Sequence, residues 1–272
     1  MAENAVGVFD SGLGGLCAVR EIKKILPDEH IIYFGDTGRV PYGGRSYETI
    51  KKYGRQSVSF LLSKKVKIIL AACGTVSSVA INDLRAGFPD VPILGIIEGA
   101  CDKAVKTAQK SGRRPIGIIG TQATISRGAF ERYIRGLDPS CKVYGQACPL
   151  FVPLVENGHI DINDPITRLT AEHYLRALKK LNLSALILAC THYPMLAPII
   201  SGVIQTELID SGVEAAHKLK QVIEENGIAG SGRPGGLEIF ISDEGMNFSQ
   251  IAASFLGFDI KSGISKINIE DY

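Results

Sequence analysis

Two short stretches, IILAACGT (residues 68–75) and LILACTHYP (residues 186–194), share the pattern that decides the fold of this chain. Each is an apolar run that ends abruptly in Ala-Cys and continues with small polar residues. Such a run is typical of a buried strand, and the break after it is typical of the start of a helix. The sequence therefore predicts two α/β units that bring Cys73 and Cys190 to the ends of their strands.

A cysteine at the start of a helix has chemistry of its own. The pKa of a free thiol is about 8.5, and the unpaired N–H groups of a first helical turn favour the thiolate. We therefore expect Cys73 and Cys190 to act as bases or nucleophiles near neutral pH, with the same N–H groups attracting a carboxylate. Both could instead be core cysteines. The two matching copies, followed by Thr75 and Thr191, favour a functional role.

The composition is that of a soluble α/β enzyme, with 272 residues, 45% of them hydrophobic, and a net charge of +2. So small a charge argues against nucleic-acid binding, and the basic run at residues 64–67 is expected to be a solvated loop. The six cysteines show no paired short spacing, which predicts reduced thiols. No signal peptide or membrane span is recognisable. We expect a cytoplasmic protein with no membrane partner.

The chain repeats itself at an offset of about 110 residues. GVFDS at residue 7 is echoed by GIIGT at residue 117, which is 110 positions later (117 minus 7). Tyr33 and Tyr144 are 111 apart (144 minus 33), and the two cysteines are 117 apart (190 minus 73). Three echoes in the same order indicate duplication of an α/β unit.

Duplication predicts an α/β fold with two similar domains that have mainly parallel sheets. The domains would be related by pseudo-two-fold symmetry, with the active site in the cleft between them. We predict that residues 1–97 plus 208–272 form the first domain, which carries Cys73. Residues 98–207 would form the second domain, which carries Cys190.

Two facing thiols predict proton transfer at a carbon. One thiolate would remove the α-proton of an amino acid while the opposite thiol supplies a proton to the other face. The turn after the first strand, GLGG at residues 12–15, lacks the third glycine of a dinucleotide fingerprint, and we expect neither a cofactor nor a metal. Hydroxyl donors that could stabilise the carbanion are Ser11, Thr75, Thr121 and Thr191.

Two further features of the first half have both a structural and a functional interpretation. Asp10 ends a predicted strand, where it would face a ligand or cap the following helix. The loop Pro41-Tyr42-Gly43 could be a lid over the cleft, or Tyr42 could be a structural plug.

Five motifs together resemble the signature set of glutamate racemases, within the aspartate/glutamate racemase superfamily, and cover nearly the whole chain in order. They are FDSGLGG (9–15), PYGGRS (41–46) after Asp36, ACGT (72–75), LACTHYP (188–194) and DS (210–211).

The resemblance implies cofactor-independent interconversion of L- and D-glutamate, with the D-isomer used in peptidoglycan synthesis. It implies that Cys73 and Cys190 are the acid/base pair, that Asp10 lies beside Cys73, and that His192 and Glu156 lie beside Cys190. It also implies a homodimer. The substrate-binding residues that it implies are Asp10, Ser11, Pro41, Tyr42, Gly43, Gly74, Thr75, Thr121, Thr191 and His192.

Two positions depart from the pattern of the resembled family. Gly74 stands where Asn is usual, and Ala189 stands where Gly is common. An amide at position 74 would donate to a substrate carboxylate, so we expect Gly74→Asn to be tolerated and to tighten binding, provided that the backbone there has no positive φ.

Three other functions remain open at this point. An aspartate or hydantoin racemase would share the two thiols and differ in pocket size. A non-catalytic binding protein could use the same scaffold. A thiol hydrolase could use Cys190 with His192, but it leaves Cys73 unexplained.

Overall fold

Strands and helices alternate along almost the whole chain in a computed structural model, which describes residues 4–230, 232, 234–245, 248–260 and 264–272. The strands are β1 (Val6–Asp10), β2 (Ile31–Gly35), β3 (Ile68–Ala71), β4 (Ile93–Leu94), β5 (Ile116–Gly120), β6 (Val143–Ala147), β7 (Ala185–Leu188), β8 (Glu207–Asp210), β9 (Leu237–Ile241) and β10 (Ile264–Lys266).

The helices lie between these strands, and none of those described has the length and apolarity that a membrane crossing requires. They are α1 (Leu16–Ile25), α2 (Tyr47–Ser63), α3 (Gly74–Val79), α4 (Ile81–Gly87), α5 (Ile97–Lys110), α6 (Gln122–Arg127), α7 (Ala129–Leu137), α8 (Phe151–Glu156), α9 (Pro165–Leu175), α10 (Ala197–Val203), α11 (Ser211–Glu225) and α12 (Phe248–Leu256).

The strands form two parallel sheets. The first has the order β10-β9-β2-β1-β3-β4 and the second has the order β6-β5-β7-β8. In both, the cysteine strand pairs with the glycine-containing strand that starts its unit, so that β3 lies beside β1 and β7 beside β5. The strands β2-β1-β3-β4 therefore repeat as β6-β5-β7-β8, and the prediction of two similar α/β units with parallel sheets is confirmed.

The strand β8 corrects one predicted boundary. Residues 208–210 were expected to belong to the first domain, but β8 pairs with β7 in the second sheet. The chain returns to the first sheet only after α11, where β9 pairs with β2. A short apolar run shows that a strand is present, but the partner of that strand depends on tertiary packing.

Lys67 and Glu29 form a buried ion pair next to the amino ends of β3 and β2 in the first sheet. The Lys67 ammonium lies 2.6 Å from a Glu29 carboxylate oxygen and also donates to the Ile228 carbonyl at 2.6 Å. The other oxygen of Glu29 accepts the Gly230 N–H at 2.7 Å. The side chains of Lys67 and Glu29 are only 7% and 3% exposed. The expectation that residues 64–67 form a solvated loop is therefore wrong for Lys67.

Removing one partner of this pair should destabilise the fold strongly. Glu29→Gln leaves a buried ammonium without its counter-charge, which typically costs about 3–5 kcal/mol of unfolding free energy. The matched control is Glu131→Gln, because Glu131 pairs with Arg135 on an exposed surface and such pairs contribute about 0–1 kcal/mol. Urea unfolding measures both, and equal losses in the two variants would contradict the prediction.

Candidate active site

The loops at the carboxyl ends of the two sheets meet at the two cysteines. Cys73 follows β3 and is the N-cap residue of α3, and Cys190 follows β7. The thiols are 5% and 7% exposed, and the charge of Cys190 acts on the pKa of Cys73. The fold thus brings the two predicted catalytic cysteines together in one buried site.

The surroundings of Cys73 favour its protonated thiol form. Burial, followed by the charge of Asp10, raises its pKa to about 12, although the Ser11 hydroxyl and the Val76 N–H act in the opposite direction. Its Sγ donates to Ser11 Oγ at 3.4 Å. The expectation that a helix start makes Cys73 a thiolate near neutral pH is therefore wrong, because desolvation outweighs the helix N–H groups.

Cys190 has a different environment. Its Sγ lies 4.0 Å from Nδ1 of His192, and Nε2 of His192 lies 3.1 Å from a Glu156 carboxylate oxygen. Burial alone would lower the pKa of His192, but the hydrogen bonds with Cys190 and Glu156 raise it to about 10. A protonated imidazole can donate through both nitrogens, so His192 places a positive charge and a proton beside the Cys190 sulfur.

Asp10 is buried on the Cys73 side. Burial raises its pKa, while the charge of His192 and the N–H groups of the following turn lower it. Its Oδ2 accepts the Gly12 N–H at 3.1 Å, whereas Oδ1 has no hydrogen-bond partner among the residues that the structure describes. Asp10 is not the N-cap of α1, since that position belongs to Gly15.

Two of the predicted hydroxyl donors, Thr75 and Thr121, form a hydrogen bond between the two units. Thr75 Oγ1 lies 3.0 Å from Thr121 Oγ1, which in turn lies 3.0 Å from Thr124 Oγ1. Thr191 Oγ1 lies 3.4 Å from His192 Nδ1. Thr124 was missed in the sequence, although Thr121 followed three residues later by a second hydroxyl residue fits a helix N-cap, and Thr121 does cap α6.

The loop Pro41-Tyr42-Gly43 has one anchored residue and one that reaches the second sheet. The Tyr42 hydroxyl donates to the Asp36 carboxylate, and its ring packs 5.2 Å from that of Tyr53. Pro41 is exposed, and the Gly43 carbonyl accepts the Ala123 N–H at 3.3 Å. The Tyr42 side chain is therefore a buried plug in the first unit.

Gly74 overturns one expectation. A Cβ at this position would overlap the carbonyl oxygen of Ala189 and would lie 3.1 Å from the Ala189 carbonyl carbon. Its φ is not positive, so conformation does not exclude a side chain. The expected tolerance of Gly74→Asn is wrong, because the backbone of the second sheet's loop occupies the space.

Comparisons with known proteins agree on one family. The family profile described as Asp/Glu/Hydantoin racemase matches residues 17–219. Curated glutamate racemases from Chlorobaculum tepidum and Persephonella marina are 40% and 42% identical, over 95% and 97% of this chain and 94% and 98% of theirs. A crystal structure of the Francisella tularensis glutamate racemase in complex with D-glutamate has a TM-score of 0.93 at 32% identity, with all of both chains covered.

The contact between Glu156 and His192 generates a test of the site's electrostatics. In Glu156→Gln the pKa of His192 should fall below about 10, because one of the two hydrogen bonds that raise it loses its charge. The pKa of His192 is raised from the ordinary 6.5 to about 10 in the folded protein, so protonated His192 stabilises the native fold, and this contribution is fully present below about pH 6.5. This stabilisation is lost as the pH rises through the folded-state pKa.

The pKa of His192 is measured by following the proton NMR shifts of the hydrogens bonded to its imidazole ring carbons as the pH is changed. The control is Glu172→Gln, which removes the charge of an exposed glutamate paired with Arg168 and should leave the His192 titration as in the native protein. An unchanged His192 titration in Glu156→Gln would show that Glu156 does not hold the proton there.

Proposed function

The chain belongs to the Asp/Glu/hydantoin racemase family, and we propose that it interconverts L- and D-glutamate by proton transfer between Cys73 and Cys190. The observation that carries the proposal is the pair of buried thiols at equivalent strand ends of two repeated units. The similarity to glutamate racemases over nearly the whole chain supports glutamate as the substrate.

The contrast between the two thiols supports a division of labour. As a thiolate beside the His192 imidazolium, Cys190 takes the α-proton from one face of the substrate. Cys73, a thiol, delivers its proton to the opposite face, so one C–H bond breaks and another forms with no net change in atoms. The reverse reaction exchanges the two roles.

The groups behind the thiols would restore their protonation after turnover. After one cycle Cys190 carries a proton and Cys73 has lost one. Asp10 is buried, and its charge acts on the Cys73 thiol, so it is the group placed to relay a proton back to Cys73. The chain from Cys190 through His192 to Glu156 is continuous, and Glu156 is half-buried at its outer end. This chain can carry the proton that Cys190 has gained out to solvent.

The carbanion intermediate needs donors aimed at its carboxylate. We propose that the hydroxyls of Thr75, Thr121 and Thr191, the Ser11 hydroxyl and the backbone N–H groups at the start of α3 supply them. Closure over the site excludes water, which strengthens these hydrogen bonds. The remaining proposed substrate contacts are Asp10, Pro41, Tyr42, Gly43, Gly74 and His192.

In the cell, this activity would supply D-glutamate for peptidoglycan synthesis. A cytoplasmic location and a homodimer remain predictions, and analytical ultracentrifugation would measure the second. Aspartate, hydantoins and a purely binding role are the competing outcomes of the assay below.

Incubation of the protein with L-glutamate in deuterated water tests the reaction and the substrate together. The optical rotation should decay to zero while deuterium enters the α-carbon, because every inversion takes its new proton from a solvent-exchanged thiol. L-Aspartate under the same conditions should react much more slowly. Faster turnover of aspartate would refute the substrate assignment and leave the two-thiol chemistry standing; no reaction with either acid would refute both.

Single alanine variants test the acid/base pair. Cys73→Ala and Cys190→Ala should each fold and should each lose at least about 10²–10⁴-fold in racemisation rate, because removal of either acid/base group interrupts the relay. Cys141→Ala is the matched control, since that cysteine precedes β6 and lies outside the site. Near-native turnover by either single variant would rule out the mechanism.

A further inference from the structure

Three glycines that follow strands of the first sheet contact the second unit so closely that a Cβ added to any of them would clash with it. Gly14 follows β1, Gly43 follows β2 and Gly74 follows β3. A Cβ on Gly14 would overlap the Thr191 hydroxyl and lie 2.7 Å from His192 Nδ1. A Cβ on Gly43 would lie 2.9 Å from Thr121 Cβ. The Gly74 position is blocked by the carbonyl of Ala189.

Backbone conformation does not account for these glycines. None of the three has a positive φ, so an L-residue could adopt each local conformation. The excluded space belongs in every case to a residue of the opposite unit. What the three glycines share is therefore that each leaves room for a residue of the opposite unit.

The positions of these contacts tie them to the thiols. Gly74 is the neighbour of Cys73, and the Ala189 carbonyl that it meets belongs to the neighbour of Cys190. The contact of Gly14 is with Thr191 and His192, the two residues after Cys190. Gly43 meets a loop at another strand end, after β5. Contacts at two different strand ends of the second sheet resist tilting as well as closer approach of the two units.

Hydrogen bonds hold the loops at this short distance. The Ala123 N–H donates to the Gly43 carbonyl, and the Thr75 and Thr121 hydroxyls pair across the same interface. An added methyl group would have to push the two loops apart against these bonds. The gap between the thiols would widen with them.

We propose that Gly14, Gly43 and Gly74 are positioning residues that set the separation of Cys73 and Cys190, because each lets its segment of the first unit approach the second unit more closely than a side chain would allow. This inference rests on the proposed racemase function only for its kinetic consequence. A displacement of about 1 Å in a reacting group can cost about 10²-fold in rate, and a side chain at Gly74 requires a shift of this order because backbone atoms block it.

The test compares Gly74→Ala and Gly43→Ala with Gly44→Ala. Gly44 adjoins Gly43 and a Cβ there would have nothing within 4 Å, so it is a matched control. For racemisation, Gly74→Ala should lower kcat by about 100-fold with a smaller change in KM, measured at a temperature at which circular dichroism shows that the variant is fully folded. A role confined to stability would instead lower the melting temperature and spare kcat.

A second readout does not depend on catalysis. Alkylation of Cys73 and Cys190 by iodoacetamide, followed by peptide mass spectrometry, should be slow in the native protein and in Gly44→Ala because both thiols are buried. It should be several-fold faster in Gly74→Ala and Gly43→Ala. This pattern in a protein that does not racemise glutamate would refute the proposed function and uphold the role of the glycines.

Alkylation and kcat at the level of Gly44→Ala in both variants would overturn the inference. Should Gly74→Ala fail to fold, Gly43→Ala decides the question alone, because its nearest neighbour is the Thr121 side chain.

Discussion

The separation between two thiols carried by different sheets is the constraint on which this structure depends. A proton passes between a sulfur and a carbon only at contact distance, so both thiols have to reach the same small volume from opposite sides. Parallel sheets suit this requirement, because every strand in a sheet ends at the same edge and delivers its loop there. The four strands β2-β1-β3-β4 of the first sheet repeat as β6-β5-β7-β8 in the second, so the two sheets present equivalent edges to each other.

The fold is repeated, but the electrostatics of the site are not. Cys73 faces an aspartate and a serine hydroxyl, and Cys190 faces an imidazole held by a carboxylate. Burial amplifies both environments, since a charge in low dielectric depends strongly on its nearest partners. The same scaffold therefore holds one sulfur as a thiol and places a cation beside the other.

Close packing between the units restricts which residues can occupy the contact positions. Where two backbones approach, as at Gly74 and Ala189, even a methyl group has no room. The amide side chain that would have served a substrate carboxylate at this position is excluded by the same contact. The hydroxyls around it, Thr75 and Thr121, are already within hydrogen-bond distance of each other.

The sequence by itself determined the two α/β units, their parallel sheets and the placement of Cys73 and Cys190 at strand ends. Hydrophobic periodicity and turn chemistry are local, and a duplication is visible as a nearly constant offset between similar patterns. The partnership of His192 with Glu156 came only from family resemblance, because no local pattern links residues 36 positions apart.

Tertiary structure alone decided the burial of Lys67, the high pKa of Cys73, the sheet to which β8 belongs and the absence of space at Gly74. Each of these depends on atoms contributed by distant parts of the chain. Desolvation, counter-charges and steric clearance arise only when those parts pack together.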